Sequence, residues 1–193
     1  MSELPRTLPV SFTYVQARAA GLAKNQVYRL RDQGVVEQIG RAVFRRIEDT
    51  ADDPDLTELA HRAPGSALCL ATALAWHGLL DFIPPKIDIA LPRSRRPPAV
   101  QARVHWHRFD TERFQVGRET IAIADTEIGL YNAERSLIDM FRLRHTEGED
   151  LAFEALRRWL RDRGTQPSTL LRLASTWWPR TVPALERTIE IMR

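Results

Sequence analysis

The pattern of apolar and polar positions in the first 48 residues predicts two short helices followed by two strands. The predicted elements are helices over residues 14–20 and 24–33 and strands over residues 35–39 and 42–46. Gly21 ends the first helix, and Gly34 ends the second in the left-handed conformation that glycine accepts. Gly40 permits the tight turn between the strands. Helix, glycine turn, helix and hairpin in this order predict a winged helix-turn-helix.

The rest of the chain has a mixed pattern that becomes helical towards its end. The predicted elements are helices over residues 56–62 and 67–78, strands over 86–92, 100–109 and 119–124, and helices over 132–144, 150–162, 168–177 and 181–192. The predicted fold class is therefore α+β, with an N-terminal winged helix-turn-helix followed by a mixed α/β domain that ends in a helical tail. The predicted domains are residues 1–48, an acidic linker over 49–55, and residues 56–193.

Composition and charge narrow the class of protein. The 193 residues carry a net charge of +3, and 44% of them are hydrophobic, which is typical of a globular chain. The apolar run over residues 67–80 is too short and too polar to cross a bilayer, and the N-terminus lacks the pattern of a secretory signal. With a single cysteine, Cys69, neither an internal disulfide nor a multi-cysteine metal cluster is expected. We therefore expect a cytoplasmic protein with no membrane partner.

The second predicted helix has the residues that a recognition helix needs. With Val27 facing inward, Asn25 and Arg29 point outward, and Gln26 flanks them. Asparagine and glutamine can bond adenine edges, and arginine can bond guanine. The predicted hairpin adds basic side chains that can meet phosphates or enter the minor groove. These side chains are Arg41, Arg45 and Arg46.

Several runs resemble the AbiEi antitoxin family of abortive-infection operons. They are FTYVQARAAGLAKNQVYRLRDQGVVEQIGRAVF at 12–44, ATALAWHGL at 71–79, IDIALP at 87–92 and YNAERSLIDM at 131–140. Ala23 stands where the family often has serine, and the hairpin turn is Gly40-Arg41-Ala42 rather than a small residue followed by glycine. Both departures are expected to shift the helix or wing slightly without breaking the fold.

The resemblance implies a type IV toxin–antitoxin antitoxin of a phage-defence system. In that family the winged helix binds inverted repeats upstream of its own operon as a repressor, and the C-terminal domain counteracts a nucleotidyltransferase-like toxin. The DNA contacts that the resemblance implies are Lys24, Asn25, Gln26, Tyr28, Arg29, Arg41, Arg45 and Arg46. We expect no cofactor, and the sequence leaves open whether the toxin is bound directly.

Two other patterns bear on alternative chemistry. His105 and His107 are spaced for one face of a strand, but two ligands are too few for a zinc site and the sequence places no acidic residue beside them. Asp88 with Glu119 would suit a metal-dependent nuclease, although a catalytic lysine is missing beside the second acid. No phosphate loop or nucleophile elbow is present.

The prediction is a DNA-binding antitoxin and autorepressor rather than an enzyme. Its main alternative is a stand-alone transcriptional regulator whose second domain senses a ligand or oligomerises. A basic loop offers further contacts to phosphate or to a partner. Its side chains are Arg93, Arg95 and Arg96.

Overall fold

The computed structural model describes residues 4–5, 7–48 and 53–192. The elements are β1 (Ser11–Thr13), α1 (Tyr14–Ala19), α2 (Lys24–Asp32), β2 (Val36–Gly40), β3 (Val43–Arg46), α3 (Pro54–Arg62), β4 (Ala67–Leu68), α4 (Leu70–Trp76), β5 (Ile87–Pro92), β6 (Val104–Phe109), β7 (Arg118–Ile123), β8 (Thr126–Tyr131), α5 (Ala133–Glu147), α6 (Glu149–Arg161), α7 (Pro167–Trp177) and, after a 3₁₀ turn at Pro179–Thr181, α8 (Val182–Met192). The predicted α+β class is confirmed.

The N-terminal elements form the predicted winged helix-turn-helix. β1, which the sequence did not predict, pairs antiparallel with β3, and β3 pairs antiparallel with β2. Val27 and Leu30 of α2 are buried against Phe12 and Phe44 from the strands. Burial of these apolar side chains fixes α2 against the sheet and leaves its other face outward.

Both short helices end at a glycine, as the sequence predicts, and both glycines have the left-handed conformation that was predicted for Gly34. Gly21 follows α1 with φ of 88°, and Gly34 follows α2 with φ of 70°. The amide of Leu22 donates to the carbonyl of Ala17, and that of Val35 donates to Leu30, at 3.0 and 2.9 Å. These bonds are the signature of a Schellman cap, which ends a helix and reverses the chain.

A five-stranded sheet in the order β6-β5-β4-β8-β7 corrects the prediction for the middle of the chain. Residues 67–68, predicted as the start of a helix, are instead β4, which pairs antiparallel with β5 and parallel with β8. β8 itself was not predicted. A fully buried strand lacks the polar alternation of a half-exposed one, so its apolar run cannot be told from a helix by periodicity.

Helices α4 to α8 contribute to one apolar core with the sheet, and a charged pair lies within it. Arg135 and Asp139 of α5 are both buried, and Arg135 Nε donates to Asp139 Oδ2 at 2.6 Å. The two residues are four positions apart, a spacing that places both side chains on one face of the helix. The guanidinium group also lies 4.3 Å from the Tyr131 ring centroid and 4.2 Å from that of Trp178.

By compactness the chain divides into two units. The first comprises the described residues up to Ser66 together with Arg96–Arg103 and Thr120–Ile128, and the remaining described residues form the second. Residues 49–52 of the predicted acidic linker lie outside the described residues, and a domain boundary at 49–55 stays a prediction. Among the described residues, no helix is both long and apolar enough to cross a membrane.

Candidate nucleic-acid interface

Helix α2 presents two polar stripes on the side away from its buried Val27. Asn25 and Arg29 are one turn apart and exposed, and they form the outer stripe. Lys24 and Tyr28 lie along the adjacent flank, where the Lys24 Nζ is 5.9 Å from the Tyr28 ring centroid. The outer stripe therefore carries an amide and a guanidinium group, two side-chain groups that can bond base edges in a major groove.

Tyr28 in the flanking stripe packs against neighbouring side chains rather than extending into solvent. It is half-buried and meets Phe44 edge to face, with centroids 5.9 Å apart. The Arg31 guanidinium lies 4.8 Å from the Tyr28 ring centroid and donates from Nε to Asp32 Oδ1 at 3.0 Å. Cation–π contact and the salt bridge hold Arg31 against α2.

The N-terminus of α2 begins without a capping side chain at Ala23, as its sequence requires. The side chain of Gln26 takes over part of that role, because its Oε1 accepts the Ala23 amide at 2.7 Å. No acidic residue lies in the first turn of α2, all of which the structure describes. The positive end of the helix dipole is thus left free to favour an anion such as phosphate.

The wing turn differs from the prediction in how it is made. Ala42, not Gly40, adopts a left-handed conformation, with φ of 60°. A Cβ on Gly40 would lie 2.3 Å from Glu58 Oε1, so glycine is required by close approach rather than by the turn. Glu58 is fully buried and accepts the amides of Gln101 and Ala102 at 2.8 and 2.9 Å.

The three wing arginines have different environments. Arg41 is exposed at the tip. Arg45 is only 5% exposed and donates from Nε to Glu37 Oε1 at 2.9 Å across the hairpin. Arg46 donates to the carbonyl oxygens of Pro5 and Leu8, both at 3.1 Å. The guanidinium groups of Arg45 and Arg46 therefore have partners within the protein.

The predicted basic loop follows β5 and is exposed. Arg93 donates its amide to the Phe109 carbonyl at 2.8 Å, and Arg95 donates its amide to Pro92 at 2.9 Å. The side chains of Arg93, Arg95 and Arg96 all face solvent at least in part. Backbone bonds thus shape the loop at Arg93 and Arg95.

Two candidate nucleophiles, Ser11 and Cys69, lack the surroundings that catalysis requires. Ser11 Oγ lies 2.8 Å from His61 Nε2, but the hydroxyl donates to Asp125 Oδ1 at 2.5 Å, so the carboxylate orients the serine rather than the histidine. Ser11 is also fully buried. Burial raises the pKa of the Cys69 thiol, which keeps it protonated and a poor nucleophile.

The histidine pair has acidic neighbours that the sequence did not reveal. Asp88, His105, His107 and Glu147 bring one ligand atom each to within 4.8 Å of all the others. Glu119, the second acid of the nuclease hypothesis, is exposed on β7 and is not a member of this cluster. The expectation that no acid accompanies the histidines is therefore wrong. The cause is sheet register, which places Asp88 opposite His105.

The N-terminal fold and the polar face of α2 define a winged helix-turn-helix of the kind that DNA-binding regulators use. Residues 11–47 match the family model described as "Transcriptional regulator, AbiEi antitoxin". The resemblance predicted from the sequence is confirmed over this segment, and the match supports a DNA-binding regulator. The family is regulatory rather than catalytic. A search of curated proteins found no match to the chain.

Proposed function

We propose that the protein is an antitoxin and autorepressor that binds DNA upstream of its own operon. The observation that carries the proposal is the outer stripe of α2, where Asn25 and Arg29 are exposed opposite the buried Val27. A helix held by its apolar face and carrying an amide and a guanidinium group on the other is built to read a major groove. The family match over residues 11–47 supports the same function.

The predicted DNA contacts divide into four roles in this proposal. Asn25 and Arg29 read bases, while Lys24 on the helix and Arg41 at the wing tip neutralise phosphates. Gln26 and Tyr28 position the helix N-terminus and the flanking stripe. Arg45 and Arg46 hold the wing in place through the contacts described above. Arg93, Arg95 and Arg96 offer additional phosphate or partner contacts.

The test is binding of the protein to labelled duplex DNA from upstream of its gene, with an unrelated duplex of equal length as competitor. Arg29→Ala is expected to weaken specific binding by about 1–3 kcal/mol, which is roughly 5- to 150-fold. Arg172→Ala is the matched control, since Arg172 is an exposed arginine on α7. Equal affinity for both duplexes, or equal losses in both variants, would overturn the assignment of α2 as a sequence reader.

The antitoxin part of the proposal has a separate test. The neighbouring nucleotidyltransferase-like gene is expressed alone and together with this protein, and growth is recorded. Wild type and Arg29→Ala should both restore growth, because the proposal assigns toxin neutralisation to the C-terminal region. Growth that stays arrested with a folded wild-type protein would favour the stand-alone regulator instead.

A further inference from the structure

A cluster of four metal-ligating side chains lies in the second unit. Asp88 comes from β5, His105 and His107 from β6, and Glu147 from the last position of α5. His107 Nε2 is 2.9 Å and His105 Nδ1 is 3.4 Å from the same Asp88 oxygen, Oδ1. Three ligand atoms from two strands therefore converge on one point, with the fourth supplied by a helix end.

The spacing suits a tetrahedral metal centre. Metal–ligand bonds of 2.0–2.1 Å place the ligand atoms of a tetrahedral zinc ion about 3.3 Å apart. The 2.9 and 3.4 Å separations bracket that value, and the farthest pair lies within 4.8 Å. Shifts of side chains by about an ångström or less would bring all four atoms into contact with one ion.

The electrostatics of the cluster favour a cation. Asp88 and Glu147 bring two carboxylates close together, and Asp88 is only 7% exposed. Glu147 also stands at the C-terminal end of α5, where the helix dipole disfavours negative charge. A divalent ion would offset both the mutual repulsion of the carboxylates and the dipole.

The donor set decides which class of ion fits. Two imidazole nitrogens and two carboxylate oxygens suit zinc and its first-row neighbours, whereas magnesium and calcium prefer oxygen ligands alone. We propose that Asp88, His105, His107 and Glu147 form a binding site for a first-row transition-metal ion such as zinc, which ties β5 and β6 to the end of α5. With four protein ligands the site is closed and structural or regulatory rather than catalytic.

The test is titration of the metal-free full-length protein with Zn²⁺ by calorimetry, with Mg²⁺ as the comparison ion. Wild type should bind one zinc ion and should not bind magnesium at this site. His105→Gln and Glu147→Gln should each lower zinc affinity at least about tenfold. Both positions are at the more accessible side of the cluster, since His105 is exposed and Glu147 is half-buried, so the variants are expected to fold, which circular dichroism checks.

His145→Gln is the matched control, because His145 is an exposed histidine on the same helix and outside the cluster. Its zinc affinity should equal that of wild type. Co²⁺ should give the intense visible absorption of a tetrahedral centre, without the near-ultraviolet band of a thiolate ligand. Absence of zinc binding by wild type, unchanged affinity in both ligand variants, or the weak spectrum of octahedral Co²⁺ would overturn the proposal.

Discussion

Arginine has opposite environments in two regions of the molecule. On α2, Arg29 is exposed and lies one turn from Asn25 on the outer stripe. On α5, Arg135 is 1% exposed, is paired with Asp139 and lies 4.3 and 4.2 Å from the ring centroids of Tyr131 and Trp178. The first region keeps its cation at the surface, and the second encloses it in a core.

The difference shows that burial of a charge depends on the partners that surround it. Besides Asp139, Arg135 has two backbone acceptors, since its Nη1 donates to the carbonyls of Arg113 and Val116 at 2.9 and 2.8 Å. A buried guanidinium group with this many acceptors is compensated for lost hydration. Lys24 and Arg29 on α2 face solvent instead, so they are available to an external anion.

The largest effect is expected from removal of the enclosed charge. Arg135→Met should lower the free energy of unfolding by about 3–5 kcal/mol, because the buried Asp139 then keeps only Arg142 as a charged partner and the carbonyls of Arg113 and Val116 lose their donor. Urea denaturation of the full chain measures the change. The double variant Arg135→Met/Asp139→Leu should recover part of the loss, since neither charge is then buried alone. A loss below about 1 kcal/mol for the single variant would show that the pair is not what stabilises this core.

A smaller effect on the free energy of unfolding should distinguish the buried Arg45 from the exposed Arg29 within the N-terminal region. Arg45→Ala should lower the free energy of unfolding by about 1.5–3 kcal/mol, because it removes charged hydrogen bonds at a buried position. Arg29→Ala should change it by less than about 0.5 kcal/mol, as is usual for exposed residues. Urea denaturation of both variants makes the comparison.

The salt dependence of DNA binding should distinguish Arg45 from Lys24. If Arg45 positions the wing and touches no DNA, its variant should keep the wild-type slope of log affinity against log salt. Loss of a phosphate contact in Lys24→Ala should instead make the slope less steep by about one unit. A less steep slope for Arg45→Ala than for Lys24→Ala would contradict the proposal that Lys24 contacts phosphate and Arg45 only positions the wing.

The sequence predicted most of the N-terminal region because its signals are local. The inward position of Val27 follows from helical periodicity, and the end of α2 follows from Gly34. The role of Gly40 could not be predicted in the same way. It depends on Glu58, which is distant in sequence and reaches Gly40 only in the folded chain.

In the cluster around His105, too, the local part could be predicted from the sequence and the long-range part could not. Alternation along a strand correctly brings His105 and His107 together, with their ring centroids 4.2 Å apart. Asp88 and Glu147 join them through strand register and the length of α5, neither of which the spacing of the histidines contains. Arg45 could have been identified from its position opposite Glu37, had the register of the hairpin been predicted.

The smallest effect concerns His61, a half-buried group whose pKa is lowered in the folded chain. Burial lowers the pKa of His61 below its ordinary value of 6.5, against the opposing influence of Asp125. Between pH 6.5 and the lowered pKa, the unfolded chain therefore binds more protons at His61 than the folded chain does. The contribution of His61 to stability is fully present above pH 6.5 and decreases as the pH falls through that window.

Wild type should lose more unfolding free energy than His61→Gln between pH 7.5 and 5.0, measured by urea denaturation, while exposed His145→Gln should follow wild type. Parallel curves for wild type and His61→Gln would mean that the pKa of His61 is the same in the folded and the unfolded chain.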